Sequence, residues 1–169
     1  DYHQAAKILE QNGFIIRLSE KIEKYKTMYT GFYKNILYSI HLHLEVAWNG
    51  IKALDKSYLF QRRETITPLI IIPSIEDSIL IHTAHIIFEN FRITEKEKIY
   101  LDQVKNITLN HKYINWQTRK NKWHSGFEYI IEQNNKSNII LKKKLFLIIL
   151  SKIIREPSTF FYLNKKIIF

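Results

Sequence analysis

The sequence predicts an all-α protein, a helical bundle of about five helices with a proline-bracketed connector near residues 61–73. Glycine and proline are scarce, at 4 and 3 of 169 residues, unlike turn-rich sandwiches and barrels. Apolar side chains recur three and four positions apart over much of the chain, which is the period of a helix with one buried face. We therefore expect a single helical domain over residues 1–169.

The N-terminal half is predicted to contain two helices. In the first, which Gly13 interrupts, the apolar residues near helical spacing are Ile8, Ile15, Leu18, Ile22 and Tyr25. The second is predicted to follow Thr30-Gly31 and to run to about Leu54. Its three-four pattern of apolar residues consists of Tyr33, Ile36, Leu37, Ile40, Leu44, Ala47 and Trp48.

A connector and a central helix are predicted next. Pro68 and Pro73 punctuate residues 61–73, where Leu69 to Ile72 also suits an extended segment. Ser74 is a suitable N-cap for a strongly apolar helix that continues to about Phe91. Glu76 and Asp77 then fall in its first turn, where their negative charges stabilise the positive end of the helix dipole.

The remaining helices follow from their capping residues. Thr94 and Glu97 form a capping-box pattern that predicts a helix to about Leu109. Residues 110–126 are predicted to be a polar, basic and aromatic junction, and helix is expected to resume over 127–132. Ser137 is predicted to cap a last long helix to about Arg155. The aromatic and basic tail, 158–169, is expected to dock on the body or to bind a partner.

The composition limits the classes of function. The 26 basic and 16 acidic residues give a net charge of +10, so polyanions such as RNA are the expected partners. With Cys 0, disulfides, thiolate nucleophiles and cysteine-ligated zinc are excluded. No apolar run approaches the length of a membrane span. We expect no cofactor, and a location in the cytoplasm, with an organellar matrix as the alternative.

A short basic stretch, Trp116 to Ser125, is the strongest functional signal. It contains Arg119 and His124 with four residues between them, and no acidic residue occurs between Asp102 and Glu128. A guanidinium group can hold a scissile phosphate, and an imidazole can accept or return a proton near neutral pH. These two residues are therefore the predicted catalytic pair of a metal-independent RNA-cleaving site.

Aromatic and basic residues alternate around this pair. Exposed rings can stack on unpaired bases while lysines follow the phosphate backbone. The predicted RNA-binding residues are Lys112, Trp116, Lys120, Asn121, Lys122 and Trp123. The alternative is that Tyr113, Trp116, Trp123 and Phe127 pack into a core or an interface.

The Arg-x4-His motif, placed after a long apolar helix and before a last helix, resembles the HEPN superfamily of abortive-infection proteins, toxins and RNases. The resemblance implies a dimeric helical bundle with metal-independent endoribonuclease activity, in phage defence or toxin–antitoxin systems. It also implies a composite site built from Arg119 and His124 of both protomers. Lys120 departs from the small polar residue that usually follows the Arg, and Ser125-Gly126 replaces the acid that often follows the His.

Two other functions stay open on the sequence. The chain also suits a non-catalytic basic subunit of a larger ribonucleoprotein or organellar assembly. A weaker alternative is a metal site in a helical bundle, with His41 and Glu45 one turn apart on one helix and His82 and His85 on another. The lysine run 142–144 also suits a basic amphipathic helix on RNA or anionic lipid.

Overall fold

The computed structural model describes residues 1–68, 70–90, 92–132 and 138–155, with the side chains of 138–142 and 144 left out. Within these ranges the chain forms seven α-helices and seven strands in three antiparallel sheets. The all-α prediction is therefore wrong, and the protein is mixed α and β. The described chain divides into two compact units, which we call the N-terminal unit (residues 1–52) and the C-terminal unit (53–155). The predicted tail, 158–169, lies outside the described residues.

The N-terminal unit begins with a helix and continues as a sheet. Helix α1 (Tyr2–Gln11) is capped by the Asp1 carboxylate, which accepts from the His3 amide at 2.9 Å. Three strands follow in the order β1-β2-β3, all antiparallel, at Ile15–Leu18, Lys26–Tyr33 and Ile36–His43. The helix predicted from Ile8 to Tyr25 is thus present only before Gly13, since β1 and a run of turns occupy residues 15–25. The predicted second helix begins instead as strand β3.

The hairpin between β2 and β3 explains this difference. Lys34 and Asn35 both adopt positive φ, at 49° and 63°, which is the backbone of a two-residue type I′ turn. Strand pairing then runs without interruption from Tyr33 opposite Ile36 to Lys26 opposite His43. The three-four spacing of apolar residues in β3 is accidental, because its residues lie on a pleated strand whose N-terminal half is exposed.

A second, smaller hairpin follows. Strands β4 (Val46–Trp48) and β5 (Ile51–Leu54) form a two-stranded sheet. Asn49 and Gly50 connect them with φ of 51° and 74°, again the backbone of a type I′ turn. The end of the predicted second helix is therefore also a β-hairpin.

The connector predicted for residues 61–73 has its own structure in the C-terminal unit. Helix α2 (Lys56–Arg62) begins at the N-cap Asp55, and the antiparallel strands β6 (Glu64–Thr67) and β7 (Ile70–Ile72) follow it. The extended segment expected near Ile72 is present as β7. Both strands expose their side chains.

The remaining elements of the C-terminal unit are helical. Helix α3 (Ile75–His85) continues into a π-helical segment at Ile86–Asn90. The next helices are α4 (Glu95–Val104), α5 (His111–Lys120), α6 (His124–Glu132) and α7 (Asn138–Arg155). The caps predicted at Ser74 and Thr94 are present, because Ser74 accepts from the Asp77 amide and Thr94 and Glu97 form both bonds of a capping box. The predicted cap Ser137 lies outside the described residues.

The junction predicted over residues 110–126 is not a loop. It consists of α5, a short turn and the beginning of α6. Its inward-facing residues are mainly polar, with Ile114, Gln117 and Thr118 buried, so the stretch lacks the apolar period by which a helix is recognised from sequence. The largest fully buried side chains of this unit include Trp123, Phe88 and Leu80.

No helix among the described residues is long and apolar enough to span a membrane.

Candidate nucleic-acid interface

The turn between α5 and α6 positions the residues of the predicted catalytic motif. Lys122 adopts a left-handed φ of 61°, and its amide donates to the Arg119 carbonyl at 3.0 Å. The Trp123 amide donates to the Thr118 carbonyl, also at 3.0 Å. Together these bonds form a Schellman motif, which ends α5. Helix α6 begins after three intervening residues, at His124. The buried Lys152 adds a bond to the Asn121 carbonyl at 2.9 Å.

Arg119 and His124 lie on opposite sides of this turn. Arg119, in the last turn of α5, is exposed, and its side chain makes no hydrogen bond or ion pair with any described residue. His124 is the first residue of α6 and is mostly buried, with 14% of its side chain exposed. The structure places the two residues on either side of the same turn, but their side chains make no hydrogen bond with each other.

The His124 ring is held by two neighbours. Its Nδ1 lies 2.8 Å from the Thr118 hydroxyl oxygen, and Thr118 is itself fully buried. Its Nε2 lies 3.0 Å from the Glu128 Oε1, an ion-pair distance when the imidazole is protonated. That nitrogen nevertheless makes no hydrogen bond of acceptable geometry, so the carboxylate is adjacent to it without fixing its orientation.

The inner face of α5 is anchored to α3 by a buried polar network. The Tyr113 hydroxyl donates to the fully buried Asp77 at 2.6 Å and accepts from the Gln117 amide at 3.0 Å. Burial and the bond to Asp77 raise the pKa of the Tyr113 phenol. The Ser74 hydroxyl also donates to Asp77, at 2.8 Å. Each of these polar groups has a hydrogen-bond partner, so the network fixes the orientation of α5 and therefore of its outer face.

A second pair of contacts supports the same helix end. The Glu76 carboxylate accepts from Arg62 at 2.6 Å and from the Asn110 amide, the N-cap of α5, at 3.1 Å. Burial of Glu76 opposes its ionisation, but the Asn110 amide and the Arg62 guanidinium outweigh burial and lower its pKa. Arg62 also lies over the Tyr113 ring at 3.9 Å from its centre.

The outer face of α5 carries an exposed aromatic group that we call the Trp116 cluster: Tyr58, Trp116 and Lys120. The Trp116 side chain is 43% exposed, and its ring meets the Tyr58 ring edge-on at 5.0 Å between centres. The Lys120 ammonium lies 4.3 Å from the centre of the Tyr58 ring and 5.0 Å from the centre of the Trp116 ring. It also donates to the Tyr58 hydroxyl at 3.0 Å.

The other predicted RNA-binding residues divide by burial. Lys112 and Lys122 are exposed. Asn121 is the C-cap residue of α5 and donates to the Gln117 carbonyl at 2.8 Å, so its amide contributes to ending the helix. Trp123 is fully buried and donates from its indole nitrogen to the Ala53 carbonyl at 2.9 Å. A ring in that position cannot stack on a base.

Three residues of this region were not predicted from the sequence. Tyr58 lies 62 positions before Lys120, and nothing local in the sequence relates them. Thr118 could not be recognised because its role depends on the Schellman turn. Glu128 is four residues after His124 on the same helix, and that spacing is a signal that sequence reasoning could have used.

The histidines proposed for a metal site do not form one. His41 lies on β3 and not on a helix with Glu45, which forms an ion pair with Lys52 at 3.1 Å. His82 and His85 do lie on α3, but His85 pairs with Glu89 at 3.2 Å. Across the described ranges, no group of three or more metal-ligating side chains is arranged to hold an ion.

Comparisons of the chain with protein-family models, with curated proteins and with solved structures found no match.

Proposed function

We propose that this protein binds single-stranded RNA through the outer face of α5 and the turn that follows it. The observation that carries the proposal is the exposed Trp116 ring among four exposed cations, Lys112, Arg119, Lys120 and Lys122. An aromatic face can stack on any unpaired base, and the cations can follow the phosphates. The net charge of +10 favours encounter with a polyanion.

The rigidity of this surface also supports the proposal. The inner face of α5 is fixed by the bond from Tyr113 to the buried Asp77. The end of α5 is fixed by its Schellman motif and by Lys152. Arg119 and Lys122 are thus presented from a backbone that does not need to be ordered when RNA binds, which lowers the entropic cost of association.

Metal-independent cleavage of the bound RNA is the stronger form of this proposal, in line with the resemblance to HEPN RNases. Arg119 would hold the scissile phosphate while the 2′-oxygen attacks it and displaces the 5′-oxygen. His124 Nε2, which is buried beside the half-exposed Glu128, would accept the 2′-hydroxyl proton once the Glu128 side chain moves aside, and would return a proton to the leaving 5′-oxygen. The Glu128 carboxylate beside this nitrogen would stabilise the imidazolium that forms. The Thr118 hydroxyl oxygen would accept a hydrogen bond from Nδ1–H and so select the tautomer in which Nε2 is free to act as a base.

Binding is tested with a labelled single-stranded RNA of about twelve nucleotides, followed by fluorescence anisotropy at low and at physiological salt. We expect Trp116→Ala to weaken binding by about 1–3 kcal/mol, the usual contribution of one stacked base. The matched control is Phe60→Ala, because Phe60 is a 61% exposed ring on α2 outside the Trp116 cluster. Equal effects of the two substitutions, or no binding by the folded wild type, would refute this surface as the RNA site.

Cleavage is tested with the same RNA in EDTA, comparing wild type with Arg119→Ala and His124→Asn. The asparagine keeps a polar group opposite Thr118, and circular dichroism verifies that each variant is folded. Product formed only by the wild type supports the catalytic pair. If all three proteins bind RNA without cutting it, the binding proposal stands and the catalytic assignment of Arg119 and His124 is withdrawn.

A further inference from the structure

The Lys120 ammonium lies over one face of the Trp116 ring, in a site at which a base would stack. Its Nζ lies over both the Trp116 ring, at 5.0 Å, and the Tyr58 ring, at 4.3 Å. It also donates to the Tyr58 hydroxyl at 3.0 Å. A cation over an aromatic face is attracted by the negative charge of the π system. The free protein therefore holds its own cation over a face of the ring on which a neutral base would stack.

This arrangement leaves the positive charge of Lys120 without a negative partner. No carboxylate among the described residues forms an ion pair with it, and its contacts are with two rings and a phenol oxygen. A phosphate oxygen is a stronger partner for an ammonium than an exposed aromatic face, since a charge-assisted hydrogen bond forms as well. An arriving phosphate can therefore draw the Lys120 side chain away from the rings.

We infer that Lys120 is a specificity-determining residue, which makes base stacking on Trp116 conditional on a neighbouring phosphate. The inference rests on the proposed function. The ammonium covers the Trp116 ring until a backbone phosphate binds it, and the uncovered ring then stacks on the adjacent unpaired base. The ligand class is a phosphate-linked, unpaired nucleotide, and free nucleosides are disfavoured because they do not displace the lysine.

Removal of the Lys120 ammonium separates its two roles, covering the Trp116 ring and binding a phosphate. In Lys120→Ala the ring is uncovered at all times, so adenosine, which lacks a phosphate, should bind about two- to fivefold tighter than to wild type. The single-stranded RNA should bind more weakly. The slope of log K against log salt concentration should also be smaller in magnitude by about 0.7, because one phosphate contact is lost. Adenosine binding is measured as quenching of Trp116 fluorescence, taken as the difference from Trp116→Phe.

Lys98→Ala is the matched control, because Lys98 is a partly exposed lysine on α4 that pairs with Glu95 at 2.7 Å. It should leave adenosine binding unchanged. Adenosine binding that is unchanged or weaker in Lys120→Ala, while wild type still binds RNA, overturns the inference and leaves the proposed function intact. Wild type that binds no RNA refutes the proposed function, and the inference falls with it.

A second readout follows the Lys120 side chain directly. In the free protein the ring currents of Trp116 and Tyr58 should shift its ε-methylene protons away from their usual NMR position. Single-stranded RNA should return them towards that position, whereas adenosine should not. Protons that stay shifted when the protein is saturated with RNA would show that the lysine does not leave, which contradicts the inference even if Lys120→Ala still folds and binds.

Discussion

The two units of this protein place their apolar side chains differently. In the C-terminal unit, residues such as Ile79, Leu80 and Ile114 are at most 1% exposed, and buried polar groups such as Asp77 have hydrogen-bond partners. In the N-terminal unit, the β2–β3 hairpin leaves Phe32, with 69% of its surface accessible, and Leu37, with 59%, exposed. Helical packing thus defines the core of the C-terminal unit, whereas backbone pairing defines the sheet of the N-terminal unit.

This difference has a physical basis. An amphipathic helix forms stably only when its apolar face is buried, so the apolar side chains of a helix lie in the core. A hairpin with a suitable turn can align its strands through the backbone, as Lys34 and Asn35 do here. The side chains of such strands are then free to remain exposed.

The largest effect is expected from Trp123→Ala in the core of the C-terminal unit. The Trp123 ring is fully buried and meets the rings of Phe88 and Phe127 edge-on, each at 6.1 Å between ring centres. Its removal should lower the free energy of unfolding by about 3–5 kcal/mol, because it creates a cavity and leaves the Ala53 carbonyl without its donor. Urea unfolding followed by far-UV circular dichroism measures the change.

Trp116→Ala is the control for this prediction. Trp116 is 43% exposed, so we expect a loss below about 1 kcal/mol. Similar losses for the two tryptophans would mean that burial does not distinguish them, and the contrast drawn between core and surface would fail.

An intermediate effect is expected from Gly31→Ala in the N-terminal unit. A Cβ atom at this position of β2 would lie 2.7 Å from the Phe14 ring and 3.0 Å from the Phe14 backbone. Because a backbone atom must also move, we expect a destabilisation of about 1–3 kcal/mol. Faster hydrogen exchange of the β1 and β2 amides would report it.

Ser39→Ala is the matched control, since Ser39 is exposed on the neighbouring strand β3 opposite Thr30. It should leave exchange nearly unchanged. If Gly31→Ala also has no effect, the sheet of this unit is more deformable than the helical core, and the contrast between the units becomes sharper.

The smallest effect is a pH dependence at His82 on α3. Its Nε2 is buried and makes no hydrogen bond with a described residue, and its ring lies 4.4 Å from the Tyr100 ring. Burial lowers the pKa of His82 below its ordinary 6.5, and His85 adds to this while Glu97 opposes it. The unfolded chain therefore binds the proton more readily, and stability should fall as the pH drops below about 6.5.

Melting temperatures at about pH 7.5 and pH 5.5 test this for wild type and His82→Gln. We expect the variant to lose less stability on acidification than wild type does. His111→Gln, at an exposed residue of α5, should behave as wild type. If the melting temperature of His82→Gln falls on acidification as much as that of wild type, other groups cause the acid sensitivity.

The sequence predicts those parts of the fold that depend on neighbouring residues. The caps at Ser74 and Thr94 are local chemistry, and both helix beginnings were correct. The I′ turn at Lys34 and Asn35 lacks the glycine by which such turns are usually recognised, so its strands were mistaken for helix. Helix α5 was missed because its buried face carries Gln117 and Thr118 in place of apolar residues.

The candidate site shows the same limit. The exposure of Arg119 and Lys122 agrees with their charge, but charge and spacing do not distinguish the exposed Trp116 from the buried Trp123. Their difference arises because Trp123 follows the Schellman turn and points into the core. Tyr58 could not be found from sequence, because its contact with Lys120 exists only after α2 and α5 are in place.

Lys122 shows how function and stability can oppose each other at one residue. A left-handed backbone is the conformation for which glycine is best suited, and a lysine there costs about 1 kcal/mol relative to glycine. Selection of this protein for thermal tolerance alone would therefore favour Lys122→Gly, and would remove a positive charge from the proposed RNA surface in the process. A thermostabilised version of this chain is predicted to be a poorer ligand for polyanions, although its fold would be unchanged.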